Sequence, residues 1–170
     1  MNRGRRVIAL LRAPGGALLC ALGVLGAARS IAAQAPSGAQ VEARAEYTGA
    51  RTSSLQVGAG LTLPAGRYIR LGTVVTGGVA THGGDARGAA RADLLARFLL
   101  DPFRESPVGV YGIGGVSALY DGFEETRPRI LLGVGVETRP RGRRVLAAEV
   151  ALGGGVRIAI VLRRARRSGR

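Results

Sequence analysis

The chain has 170 residues, enough for one domain with its own core. Its 25 basic residues are all arginine, and with 11 acidic residues they give a formal net charge of +14. Its single cysteine, Cys20, excludes a disulfide scaffold and a cysteine-based metal site. Nucleic-acid binding is disfavoured because the arginines are dispersed and the chain has no Trp, four Tyr and three Phe for base stacking.

The N-terminal residues 1–35 have the pattern of a secretory signal peptide. A positive start reaches Arg12, an apolar run covers residues 17–26, and residues 33–35 fit a small-x-small cleavage site. An uncleaved anchor is the alternative, although the apolar run is short for a transmembrane helix. The sequence therefore predicts an exported protein, with a short linker over 36–39.

From residue 40 onwards the chain alternates apolar and polar residues. Successive side chains of a strand point to opposite faces, so this period of two predicts strands with one apolar face. The clearest case is 40–48, where Val41, Ala43, Ala45 and Tyr47 share a face. The predicted strands cover residues 40–48, 54–63, 67–80, 86–100, 108–120, 129–137, 145–152 and 156–162.

The segment 86–100 has two interpretations. As a strand it places Arg91, Asp93 and Arg97 on one face and mainly alanines on the other. As a helix it groups its leucines with Phe98 on one side, and its residues are good helix formers. The alternation over successive residues favours the strand.

A signal peptide followed by an even number of long, alternating strands resembles the small eight-stranded outer-membrane β-barrels of Gram-negative bacteria. The resemblance covers the whole chain after residue 35. It implies an all-β fold, a single antiparallel up-and-down β-barrel of about eight strands over 40–162, with apolar side chains facing lipid. Only helices and closed barrels satisfy their backbone hydrogen bonds inside a membrane. An eight-stranded barrel has no wide pore, because side chains fill its interior.

Charged residues on the opposite parity are then expected to face the lumen. The predicted lumen charge network consists of Glu42, Arg44, Glu46, Arg91, Asp93, Arg97 and Arg157. Because unpaired buried charge is costly, we expect these groups to be partnered inside the barrel. The alternative is that they form the solvated face of a soluble sheet.

A second group of arginines is expected at one rim of the barrel. The predicted basic periplasmic rim consists of Arg139, Arg141, Arg143, Arg144, Arg163 and Arg164, and residues 163–170 are expected to form a frayed basic tail. This rim is suited to anionic lipid or peptidoglycan through electrostatics alone. The segments 49–52, 81–85, 121–128 and the turn at Gly153 are expected at the outward-facing end.

No enzyme activity, metal or cofactor is predicted. The sole histidine, His82, lies in a glycine-rich loop, and no oxyanion-hole pattern accompanies it. The predicted function is a monomeric integral outer-membrane barrel with a structural or interaction role, whose partners are outer-membrane lipid and the barrel assembly machinery.

Two alternatives stay open from the sequence. A soluble secreted or periplasmic barrel could bind a small apolar ligand inside, because a period of two does not say which face is wet. A lipid-modifying outer-membrane enzyme would depend on His82.

Overall fold

The computed structural model describes residues 38–102, 106–123 and 126–165. The predicted signal peptide, the first two residues of the predicted linker and residues 166–170 of the predicted tail lie outside this part of the chain. Among the described residues, no helix is long and apolar enough to span a membrane.

Eight antiparallel strands close into one barrel. They are β1 Gln40–Gly49, β2 Ser53–Pro64, β3 Ile69–His82, β4 Asp85–Leu99, β5 Val108–Tyr120, β6 Pro128–Thr138, β7 Arg144–Leu152 and β8 Val156–Ala165. Each strand pairs with the next in sequence, and β1 pairs with β8 to close the barrel. The predicted fold, a single up-and-down antiparallel barrel of eight strands, is confirmed.

The segment 86–100 is a strand and not a helix. Burial along β4 alternates strictly from Ala89 to Leu99, with Arg91, Asp93 and Arg97 facing inward. Its pairing with β3 and β5 satisfies the backbone on both sides. The alternation therefore outweighs the helix-forming character of its residues, because tertiary pairing overrides local propensity.

The last strand is longer than predicted. The sequence predicts an end at Leu162, whereas β8 continues to Ala165 and pairs with the start of β1 through Glu42↔Arg163 and Gln40↔Ala165. Residues 163–165 therefore belong to the barrel, and the predicted boundary of the tail is wrong. Arg163, Arg164 and Ala165 resemble a tail in the sequence, but the carboxylates of the interior accommodate the side chain of Arg163.

The barrel is polar inside and apolar outside. A small apolar cluster, including Val74, Leu95 and Ile113, shares the interior with many buried charged and polar side chains. Large aliphatic side chains cover the exterior, and Ile130 on β6 is 74% exposed. A soluble barrel that binds an apolar ligand would have the reverse arrangement, so the structure contradicts the faces that this alternative requires.

The two ends of the barrel carry different connections. At one end lie residues 65–68, 100–102, 106–107 and 139–143 together with the start of β1 and the end of β8, and we call this the terminal end. Residues 50–52, 83–84, 121–123, 126–127 and 153–155 lie at the other end, which we call the loop end.

Candidate functional site

The candidate site is the charged interior of the barrel. All seven residues of the predicted lumen network lie inside it, and none is more than 4% exposed. The strands place them there because each occupies the inward parity of β1, β4 or β8. Within the described chain they form two clusters, one towards each end, joined by Arg44.

Glu149 on β7 is the hub of the cluster at the terminal end. Its Oε1 accepts hydrogen bonds from Arg97 Nε at 3.1 Å, Tyr111 OH at 2.9 Å and Arg163 Nη2 at 2.7 Å. Its Oε2 accepts from Arg44 Nη2 at 2.7 Å. One carboxylate thus receives four donors from four other strands, and charge-assisted bonds of this kind are stronger than neutral ones.

Arg163 lies in the same cluster and not on the rim, where the sequence places it. It is 1% exposed, and its guanidinium pairs with Glu42 at 3.3 Å, Glu137 at 2.8 Å and Glu149 at 2.7 Å. It also stands 5.1 Å from the centre of the Tyr111 ring. The rim assignment of Arg163 is therefore wrong: β8 continues far enough to turn this residue inward, and three carboxylates compensate its charge.

Two inward-facing glycines make room for this cluster. A Cβ atom on Gly135 would lie 2.6 Å from the hydroxyl oxygen of Tyr111, and one on Gly72 would lie 3.1 Å from Arg97 Nη1. Any larger residue at 135 would displace the Tyr111 ring from its place between Glu149 and Arg163. Close approach of a neighbouring side chain is the reason for glycine here.

The cluster at the loop end is built around Glu46 and Asp93. Arg91 donates to Glu46 at 2.9 Å and to Thr48 at 2.8 Å, and Arg157 donates to Asp93. Several buried polar atoms of this half have no hydrogen-bond partner in the described structure: Ser54 Oγ, Gln56 Nε2, Arg91 Nε, Asp93 Oδ1 and Arg157 Nη2. The cluster at the loop end is therefore less completely bonded than the one at the terminal end.

Arg44 connects the two clusters. It pairs with Glu149 at 2.7 Å on one side and with Glu46 at 3.2 Å on the other, and Glu42 lies at 3.6 Å. Glu42, Arg44 and Glu46 alternate along the inward face of β1, so this strand carries a continuous line of opposite charges.

The buried charges of the interior balance. The buried arginines are Arg44, Arg91, Arg97, Arg157 and Arg163, and the carboxylates buried among them are Glu42, Glu46, Asp93, Glu137 and Glu149. Five positive groups thus face five negative ones in the two clusters, and the half-buried Arg70 adds an outer contact to Glu137 at 3.0 Å. A sixth buried carboxylate, Asp121, lies apart from them at the end of β5. Burying an ion costs several kcal/mol unless it is paired and hydrogen-bonded, so the pairing is what permits so polar an interior.

The sequence analysis missed Glu137, Glu149 and Tyr111. Parity contains the signal for both carboxylates: Glu137 shares its face with Gly133 and Gly135, and Glu149 alternates with the outward aliphatic residues of β7. Tyr111 has the inward parity of β5, but a tyrosine on a strand of valines and glycines does not by itself predict a polar contact. Its role depends on Glu149 and Arg163, which come from other strands.

His82 lies exposed at the loop end. Its Nδ1 is 3.1 Å from the carbonyl oxygen of Arg51, and its ring centre is 5.7 Å from that of Phe123. Both contacts join it to neighbouring turns. Within the described ranges, no group of three or more His, Cys, Asp or Glu side chains could hold a metal ion.

The remaining residues of the predicted basic rim are exposed at the terminal end: Arg139, Arg141, Arg143, Arg144 and Arg164. Arg139 Nε donates to the carbonyl oxygen of Ser106 at 3.4 Å, which connects the turn 139–143 to the residues just before β5. Five of the six predicted rim residues are thus exposed at the terminal end, and the sixth, Arg163, is buried inside the barrel at the same end.

Comparison with known proteins identifies the fold. The chain is similar to the N-terminal β-barrel domain of Pseudomonas aeruginosa OprF, with a TM-score of 0.53 and 10% sequence identity over 76% of this chain and 99% of that domain. A structure from the de novo design of transmembrane β-barrels matches with a TM-score of 0.47 and 15% identity, over 77% of this chain and 97% of the design. No family model and no curated protein matches the sequence.

Proposed function

We propose that this chain is an integral outer-membrane β-barrel with a structural or interaction role, and that its charged interior is closed to wide solutes. One observation carries the proposal: the outward face of all eight strands is apolar along nearly its whole length. On β6 this face holds Ile130, Leu132, Val134 and Val136, and on β8 it holds Val156, Ile158, Ile160 and Leu162.

A surface of this kind is suited to lipid and not to water. Monomeric soluble proteins rarely expose a contiguous apolar patch of more than a few hundred Å². The strands run from 9 residues in β7 to 15 in β4, and a tilted strand needs about 9 to 11 residues to cross the hydrocarbon core. The closed ring also leaves no unpaired strand edge, which a membrane does not tolerate.

The interior supports the absence of a wide pore. The side chains of eight strands fill a barrel of this size. Here the ion pairs extend through much of the barrel's length, from Arg70 with Glu137 near one end to Arg157 with Asp93 towards the other. Partners follow from the same reasoning: outer-membrane lipid around the apolar face, and the barrel assembly machinery for insertion of a monomer. The proposal does not include nucleic acid as a partner.

The orientation is proposed from the chain ends. With the terminal end in the periplasm, the basic rim meets that side of the membrane, where anionic lipid and peptidoglycan are both available. Localisation in the outer membrane also agrees with the predicted signal peptide over 1–35.

Electrophoresis in SDS tests the proposal. A native outer-membrane fraction is loaded boiled and unboiled, and we expect the protein in that fraction, migrating as a compact species until it is heated. A matched variant, Leu132→Arg, puts a charge in the middle of the apolar face and should reduce the compact species. Wild-type protein in the soluble extract, with no shift on heating, would refute membrane insertion.

A further inference from the structure

Two arginines interrupt the apolar exterior of the barrel. Across the outward-facing positions of the eight described strands, the charged residues are Arg144, at the start of β7, and Arg164, near the end of β8. They are register partners and therefore lie directly opposite each other on the same face. The membrane-facing wall thus carries its charge at a single place, at the terminal end.

A third arginine extends this pair. The backbones of Arg141 and Arg144 exchange hydrogen bonds of 3.0 and 3.2 Å, so these two residues are also cross-strand partners. Gly142, with φ of 64°, permits the tight turn between them. Arg141, Arg144 and Arg164 then lie side by side on three adjacent segments, and we call them the arginine row.

The arginine row has unbalanced charge. Cβ atoms of directly opposed strand residues are about 4.5 to 5.5 Å apart, and like charges in such positions destabilise the sheet. Arginine does not lose its proton in proteins, so the repulsion cannot be relieved by titration. Among the described residues, no carboxylate forms an ion pair with any of the three. An external anion would neutralise them.

The wall beside the arginine row has the chemistry of a lipid chain. The next outward pair is Leu146 and Leu162, which are 50% and 44% exposed, and it is followed by Ala148 with Ile160 and then Val150 with Ile158. The surface therefore passes from three guanidinium groups to a continuous aliphatic strip in the direction of the membrane centre. A phospholipid has the same order, with an anionic phosphate at one end and hydrocarbon behind it.

We infer that the arginine row binds the phosphate of anionic phospholipids in the leaflet at the terminal end, with the acyl chains along the strip headed by Leu146 and Leu162. This inference rests on the proposed membrane insertion. The planar guanidinium fork matches phosphate oxygens in pairs, so neighbouring arginines can hold one headgroup with several charge-assisted bonds. Peptidoglycan fits less well, because Arg144 and Arg164 lie on the lipid-facing wall.

The test uses the full chain in phosphatidylcholine vesicles that contain spin-labelled phosphatidylglycerol or spin-labelled phosphatidylcholine. Electron spin resonance gives the association of each lipid with the barrel relative to the other. We expect wild type to select phosphatidylglycerol, and the double variant Arg144→Gln/Arg164→Gln to lose that selectivity by roughly tenfold. The matched control, Arg67→Gln/Arg143→Gln, removes the same charge from exposed turn residues at the same end and should retain most of it.

The outcomes separate the inference from the proposed function. Heat-dependent migration in SDS shows whether each sample is inserted. If the wild-type barrel inserts but does not select phosphatidylglycerol, only the inference about the arginine row is overturned. If it does not insert, the proposed function is overturned as well. Equal losses in the double variant and the control would mean that general rim charge is responsible, and would overturn the inference. The inference would also be overturned if wild type bound isolated peptidoglycan, the double variant lost that binding and the control retained it.

Discussion

Replacing the hub carboxylate tests whether the interior charges act as one network. The change is Glu149→Gln, which keeps the size and shape of the side chain but removes a charge that faces Arg44, Arg97 and Arg163. Breaking a buried ion pair from one side costs about 3 to 5 kcal/mol, because the partner stays buried without compensation. Glutamine retains one acceptor oxygen, so we expect a loss near the lower figure, about 3 kcal/mol.

Urea unfolding in lipid vesicles measures the loss, with the compact species in unboiled SDS gels as the readout. With an m-value of about 1 to 3 kcal/mol/M, a loss of this size moves the midpoint down by about 1 to 3 M. Arg67→Gln is the control, since it removes one charge from an exposed turn and should change the free energy of unfolding by less than about 1 kcal/mol.

A double variant sharpens the test. Arg44 is the residue that contacts Glu149 Oε2, so Arg44→Gln combined with Glu149→Gln removes both charges of one pair. We expect it to be more stable than the sum of the single losses predicts, by about 0.5 to 3 kcal/mol. Additive losses, or a single variant within about 1 kcal/mol of wild type, would show that these groups are independently solvated.

Three further predictions concern other parts of the barrel. Gly135→Ala forces a Cβ against the Tyr111 ring and should lower the urea midpoint, whereas Gly112→Ala, where nothing lies within 4 Å, should leave it unchanged. Leu132→Arg on the exterior should cost about 2 to 4 kcal/mol if it lies at the bilayer midplane, and a neutral result would contradict a lipid-facing β6. Reconstituted wild-type protein should show no steady large conductance across a planar bilayer; a stable, wide channel would contradict a filled interior.

The fold was predictable from the sequence because one signal, the period of two, repeats through eight segments. Even β4, whose residues favour a helix, follows that signal in the structure. The direction of each face was not contained in the alternation itself. The closed barrel decides which face points inward, because only an enclosed interior can give so many charged side chains a partner of opposite charge.

The partners inside the lumen could not be predicted in the same way. Arg44 on β1 meets Glu149 on β7, and Arg97 on β4 meets Glu42 on β1. Neither pair is close in sequence, and side-chain length decides which acids each arginine reaches across the barrel. Arg163 shows the limit most clearly, because its basic neighbours resemble a tail until its pairing with Glu42 across β1 and β8 is known.

Charge neutrality of the interior belongs to the finished polypeptide alone. Two of its five buried arginines, Arg157 and Arg163, arrive with the final strand, whereas β1, β4, β6 and β7 contribute all five carboxylates beforehand. Without β8, five acids would face Arg44, Arg91, Arg97 and the half-buried Arg70, and β1 would lack the partner that closes the ring. Without β8 the interior would therefore carry a surplus of negative charge, and the sheet would keep an open edge.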